Sequence, residues 1–149
     1  MLFRSDFLKD HPHLLPLVRT IAVHPEELAP FPLLRILPNL SQINFEAVSR
    51  KRPVTIPPSI QWSLQSHGTR IETLHFIEFD FETLGDFARL LLAFPVLKDL
   101  SLHEVQIPGI VESTSASSRM RQSEVLLKRR LTRVKALTVC ALVSFPTLG

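Results

Sequence analysis

One apolar pattern recurs along the chain and limits what it can fold into. It reads apolar, two variable residues, apolar, one variable, apolar, two variable, apolar. Leu40-Ile43-Phe45-Val48 fits it, and so does Leu97-Leu100-Leu102-Val105. The surrounding stretches, ILPNLSQINFEAV (36–48) and AFPVLKDLSLHEV (93–105), even share a proline at the same place. Ile71-Leu74-Phe76-Phe79 and Val134-Leu137-Val139-Leu142 match as well, and Val18-Ile21-Val23 is a partial copy that fails at Glu26. The copies start at 18, 40, 71, 97 and 134, so their offsets are 22, 31, 26 and 37 residues. Strand alternation turns Leu100 and Leu102 to one side and Ser101 to the other. A single strand of this kind cannot bury its apolar face, whereas stacked copies share a continuous core.

Applying that alternation to every copy predicts the faces of a parallel sheet. Thr20, Gln42, Thr73, Asp99 and Ala136 form one outward row, and Ala22, Asn44, His75, Ser101 and Thr138 the next. A third outward position brings His24, Glu46, Ile77, His103 and Cys140 into line. The polar members define a candidate partner-binding surface: Thr20, Gln42, Asn44, Glu46, Thr73, His75, Asp99, Ser101 and His103. His103 and Cys140 fall on adjacent copies, the pairing a thiol nucleophile needs. No third residue is positioned to orient them, so chance adjacency is the stronger reading.

The copies are introduced in two ways. Those at 18, 40 and 97 follow LPLV, LPNL and FPVL, while those at 71 and 134 follow Thr-Arg, in TRIETL and TRVKAL. From the second copy onward the two types alternate, which implies a unit of two repeats, and the closing FPTLG reads as the start of another unit. The array is therefore expected to be incomplete, with an apolar C-terminal edge prone to self-association.

Between the copies, TLGDFARLLLAF places Leu84, Phe87, Ala88 and Leu91 on one helical face, with Thr83 and Asp86 as a capping box. SIQWSLQSHG gives a second helix, capped by Ser59 and closed by Gly68, and SEVLLKRRL a third with Leu127 and Leu131 inward. HPEELAPFPLLRIL, broken by Pro30 and Pro32, is expected to be irregular, and residues 108–122 to be a flexible polar loop within a single domain spanning 1–149.

Composition narrows the chemistry. The chain has four scattered glycines and one cysteine among 149 residues, so it offers no phosphate-cradling loop and no internal disulfide. Its N-terminus carries Asp6, Lys9 and Asp10 where a signal peptide needs an apolar run, and no apolar run approaches the ~18 residues of a membrane span. The expected setting is intracellular, cytoplasmic or nuclear, with no membrane association and no cofactor. The acids of EFDFE, Glu78, Asp80 and Glu82, fall where a strand leaves the sheet and read as solvated rather than catalytic. Residues 119–135 hold seven basic side chains against Glu124 alone, a local balance of +6 in a chain of net +3. Arg119, Arg121, Lys128, Arg129, Arg130 and Arg133 thus form a candidate basic patch for phosphate or acidic surfaces. It lacks an aromatic residue to stack a base, so nucleic acid is the less favoured partner. RKRP at Arg50–Pro53 reads equally as a basic loop or an import signal.

The template resembles the leucine-rich-repeat strand pattern, with Val48, Phe79, Val105 and Leu142 where that repeat has Asn. The phrase FDFETLGDFARLLLAFPVLKDLSLHEV, followed by a polar stretch and a Thr-Arg-apolar strand, is similar to the repeat region of fungal F-box proteins. That resemblance implies an α/β fold: a short degenerate leucine-rich-repeat-like solenoid, with parallel strands on the concave side and helices or irregular segments on the convex side. It also implies a non-catalytic protein–protein interaction module related to substrate-recognition repeats, possessing an unidentified protein target. Docking on a ubiquitin-ligase adaptor is not expected, because no F-box motif is found ahead of Val18. The alternative function is nucleic-acid association through residues 119–135.

Overall fold

A computed structural model describes residues 10–24, 31–47, 58–107, 128–129 and 131–140. Every copy of the template contains a strand: β1 (Thr20–Val23), β2 (Gln42–Glu46), β3 (Thr73–Ile77), β4 (Asp99–His103) and β5 (Ala136–Cys140). The strands are all parallel and lie side by side in chain order, forming one open five-stranded sheet. Thr20, Gln42, Thr73, Asp99 and Ala136 are successive register partners, as are Ala22, Asn44, His75, Ser101 and Thr138. Equal positions of the template therefore face each other despite its unequal spacing.

The inward rows make the core. Ile21, Ile43, Leu74 and Leu100 are buried in one row, and Val23, Phe45, Phe76 and Leu102 in the next. Phe45 stacks on Phe76 with ring centroids 5.1 Å apart, and Phe76 also meets Phe79, Phe81 and Phe87 edge-on. Each such side chain contributes roughly 1.5–3 kcal/mol by leaving water. Three helices supply the opposing layer: α1 (Phe31–Ile36), α2 (Pro58–His67) and α3 (Leu84–Leu92). Leu34, Leu64, Phe87, Leu90 and Leu91 from these helices join the sheet's inward rows in one cluster. Phe79 and Val105, which stand where a leucine-rich repeat has Asn, are buried in the same cluster.

The recurring proline has a simple geometric role. The amides of Val18, Leu40, Ile71, Leu97 and Val134 each donate to the carbonyl three residues earlier, at 3.1–3.5 Å. Each copy thus opens with a four-residue turn, whose second residue is Pro16, Pro38, Thr69, Pro95 or Thr132. Proline fits that place because its fixed φ suits the second position of a turn and no amide is needed there. The proline-type and Thr-Arg-type introductions consequently build the same turn. Successive turns are also tied together: Asn39 Nδ2 donates to the Pro16 carbonyl at 2.8 Å, and Arg70 donates to the carbonyls of Pro38 at 2.5 Å and Leu34 at 2.9 Å.

Several local expectations change. The segment around Pro32 is helical rather than irregular, since proline is tolerated in the first helical turn, where the amides have no intrahelical partner. Helix α2 begins at Pro58, so Ser59 lies inside its first turn instead of capping it. Gly68 does not close that helix with a left-handed residue; it opens a short 3-10 turn, Gly68–Arg70, and is buried. A Cβ there would sit 2.6 Å from the Ala93 carbonyl oxygen and 2.9 Å from the Phe94 ring. Thr83 does cap α3, its hydroxyl accepting from the Asp86 amide at 3.0 Å. The Asp86 carboxylate, however, accepts from the Thr83 hydroxyl at 2.8 Å and from Arg89, so the reciprocal bond runs side chain to side chain. Of the expected third helix, Lys128, Arg129 and Leu131 are helical and Leu131 packs on the core; Leu127 and the 108–122 segment lie outside the described residues.

Two substitutions test this layering. Leu100→Ala is expected to lower unfolding free energy by about 2–5 kcal/mol, because Leu100 is fully packed, whereas Ser101→Ala stays within about 0.5 kcal/mol. Urea melts of both variants check the assignment of faces. Gly68→Ala is expected to cost ~1–3 kcal/mol by forcing the Ala93 carbonyl and Phe94 ring apart, which the same melts measure.

Candidate functional site

Parallel sheets are ordinarily covered on both faces and built from nearly continuous apolar strands. This sheet alternates instead. Its second face presents the side chains of TIAV, QINFE, TLHFI and DLSLH that point away from the helices. Thr20, Asp99 and His103 are exposed there, and Gln42, Asn44, Glu46, Thr73, His75 and Ser101 are half-buried among their neighbours. All nine predicted surface residues therefore share one face, in three rows running across the strands. Ile77 is its one large apolar side chain among the described residues, between Glu46 and His103.

Contacts within the face pre-order it. Gln42 Nε2 donates to Asn44 Oδ1 at 3.0 Å along β2, and the His24 ring lies 2.9 Å from the Glu46 carbonyl through Nδ1. Glu72 and Lys98, just ahead of β3 and β4, pair at 2.7 Å. Both remain over two-fifths exposed, so the pair fixes geometry more than it adds stability. These two belong to a further row, Arg19, Ser41, Glu72, Lys98 and Lys135, which precedes the strands. Strand alternation does not point to it. The signal is its place as the first of the template's two variable positions.

The backbone reason for that row is specific. The Arg19 carbonyl accepts from both Ser41 and Gln42 amides, Ser41 from Glu72 and Thr73, Glu72 from Lys98 and Asp99, and Lys98 from Lys135 and Ala136, all at 2.6–3.1 Å. Each strand is thus entered through one carbonyl shared by two amides of the next. These shared carbonyls hold through the backbone the same register that the buried rows require.

Other candidates separate from this face. His103 and Cys140 are register partners on β4 and β5, and the Cys140 side chain lies outside the described residues. The acids of EFDFE do not share a strand face. β3 ends at Ile77, and Glu78 takes a positive φ of 52°, bending the chain so that Phe79 and Phe81 enter the core. Asp80 then forms an isolated parallel bridge with Gln106. Glu104 repeats the bend after β4 with φ 51°, so the acids mark a turn common to both copies. In the basic patch, Lys128, Arg129 and Arg133 are exposed, while Arg119, Arg121 and Arg130 lie outside the described residues, as does RKRP. Among the described residues no group of His, Cys, Asp or Glu could hold a metal ion, and no helix is long and apolar enough to cross a membrane.

The two faces should differ sharply in chemical access. In a Cys140→Ser background, single cysteines at Asp99, Ser101 and His103 are expected to react with a maleimide in the folded protein. Cysteines at Leu100 and Leu102 should react at least tenfold more slowly, as read by mass spectrometry over time. Compared with known proteins, the chain matches no family model, no curated protein and no solved structure.

Proposed function

We propose that the chain is a non-catalytic protein–protein interaction module, a short leucine-rich-repeat-like solenoid that holds a protein target on its open sheet face. The resemblance to the repeats of fungal F-box proteins implies such a role. One observation carries the reading: a parallel sheet in chain order has helices against one face and straight rows of polar side chains on the other. That face spans five strands and combines short hydroxyl and amide groups with His75, Asp99 and His103. Such a surface supplies many hydrogen-bonding groups at fixed spacing, and contacts of this kind define a partner by shape and polarity.

The second reading, nucleic-acid association, draws on the exposed Lys128, Arg129, Arg133 and Lys135. Site-specific photo-crosslinking distinguishes the two. Probes at Asp99 and His103, in a cell extract, are expected to give discrete protein adducts that persist at 0.5 M salt on the order expected for non-phosphate contacts. Probes at Gln65 and Arg89, on the helical side, should not. Adducts confined to nucleic acid, or lost on raising the salt, would favour the second reading, and equal labelling from both sides would overturn the first.

A further inference from the structure

Strand β5 ends the sheet order, and among the described residues only β4 pairs with it. Three features distinguish its outer edge. Leu137 continues the inward row of Ile21, Ile43, Leu74 and Leu100, yet it is 52% exposed where those are 5%, 0%, 0% and 1%. The carbonyls of Arg19, Ser41, Glu72 and Lys98 each receive two amides from the following strand, and Lys135 stands next in that series. Arg129, Arg133 and Lys135 are exposed, and the described residues from 129 to 140 include no acid. The nearest acid across the ladder is Asp99, opposite Ala136.

We propose that this edge accepts a strand from an acidic segment of another protein. The added strand runs parallel to β5, as every strand in the sheet does. Its entry amides share the Lys135 carbonyl. Acidic side chains stand level with Lys135 and just ahead of it, near Arg133, and an aliphatic residue two positions later covers Leu137. Main-chain bonds give such an addition its affinity and the alternate side chains its selectivity. The charge pattern argues against a second copy of the chain. In the parallel orientation of this sheet a second β5 edge would set two copies of these cations level with each other, and the β1 edge brings Arg19 rather than an acid, with Ile21 and Val23 already buried. The proposal concerns the sheet's edge, so it stands independently of what binds the open face.

A fluorescein-labelled peptide with two glutamates followed by alternating serine and leucine tests it on the full chain. At low salt it is expected to bind at least tenfold more tightly than the same peptide carrying lysines for the glutamates, and binding should protect the Leu137 and Thr138 amides from hydrogen exchange. Leu137→Asp should weaken binding at least tenfold, and Arg133→Glu with Lys135→Glu should reverse the peptide preference. Unchanged amide protection in β2 and β3 shows that both variants remain folded. Equal binding of the two peptides overturns the proposal. So does equally tight binding of a leucine-free glutamate peptide or of a single-stranded oligonucleotide, and so does a dimer of the chain that the acidic peptide fails to dissociate.

Discussion

The stacking of equivalent side chains between neighbouring strands is the interaction on which the rest depends. Phe45 over Phe76, with rings 9° from parallel, shows it most directly. Neither strand could keep its ring dry alone: a two-sided strand exposes half its apolar surface, and isolated pairs are marginal in water. Placing the same template position opposite itself lets each side chain be covered by its own counterpart. A slip by one residue would send Phe76 to the open face and His75 into the core. Burial therefore selects the register, and the shared carbonyl ahead of each strand enforces it through the backbone.

This division of labour explains how offsets from 22 to 37 residues coexist with a regular sheet. Strand and entry turn are held to a strict geometry, while the segments between them need only return the chain to the next entry point. Loop closure is a slowly growing cost, so added length is cheap when both ends are fixed. The connecting helices differ accordingly. α1 spans six residues and starts with proline in its first turn, whereas α3 spans nine and carries a full cap at Thr83. Among the described residues the same division leaves one sheet face without a covering layer, and polar alternation there makes such a face tolerable.

Much of this organisation was legible because it rests on periodicity. The template places Leu74, Phe76, Leu100 and Leu102 inward and Thr73, His75, Asp99 and Ser101 outward, and the register follows once equal positions are paired. What periodicity hides is anything set by approach or by backbone conformation. Gly68 resembles a helix terminator in sequence, yet its role is to let the Ala93 carbonyl and Phe94 ring come close. Proline at 32 reads as a breaker and acts as a helix starter, because its effect depends on which turn of the helix it occupies. The proline and Thr-Arg introductions differ in residue type but meet one requirement, a turn whose second residue can do without a bonded amide. The bends at Glu78 and Glu104 leave almost no signal, since positive φ at a non-glycine residue is imposed by packing on both sides.

The open face and the β5 edge both derive their chemistry from strand order and direction, and these are directly measurable. Backbone nuclear Overhauser contacts in the isotope-labelled chain report which strands are neighbours and how they run. Parallel pairing in chain order predicts Hα-to-amide contacts linking β2 with β3 near Gln42 and Thr73, β3 with β4 near Thr73 and Asp99, and β4 with β5 near Asp99 and Ala136. No contacts are predicted between β1 and β3. Strong Hα-to-Hα contacts of antiparallel pairing, or a constant one-residue offset placing His75 beside Leu100, would contradict the account.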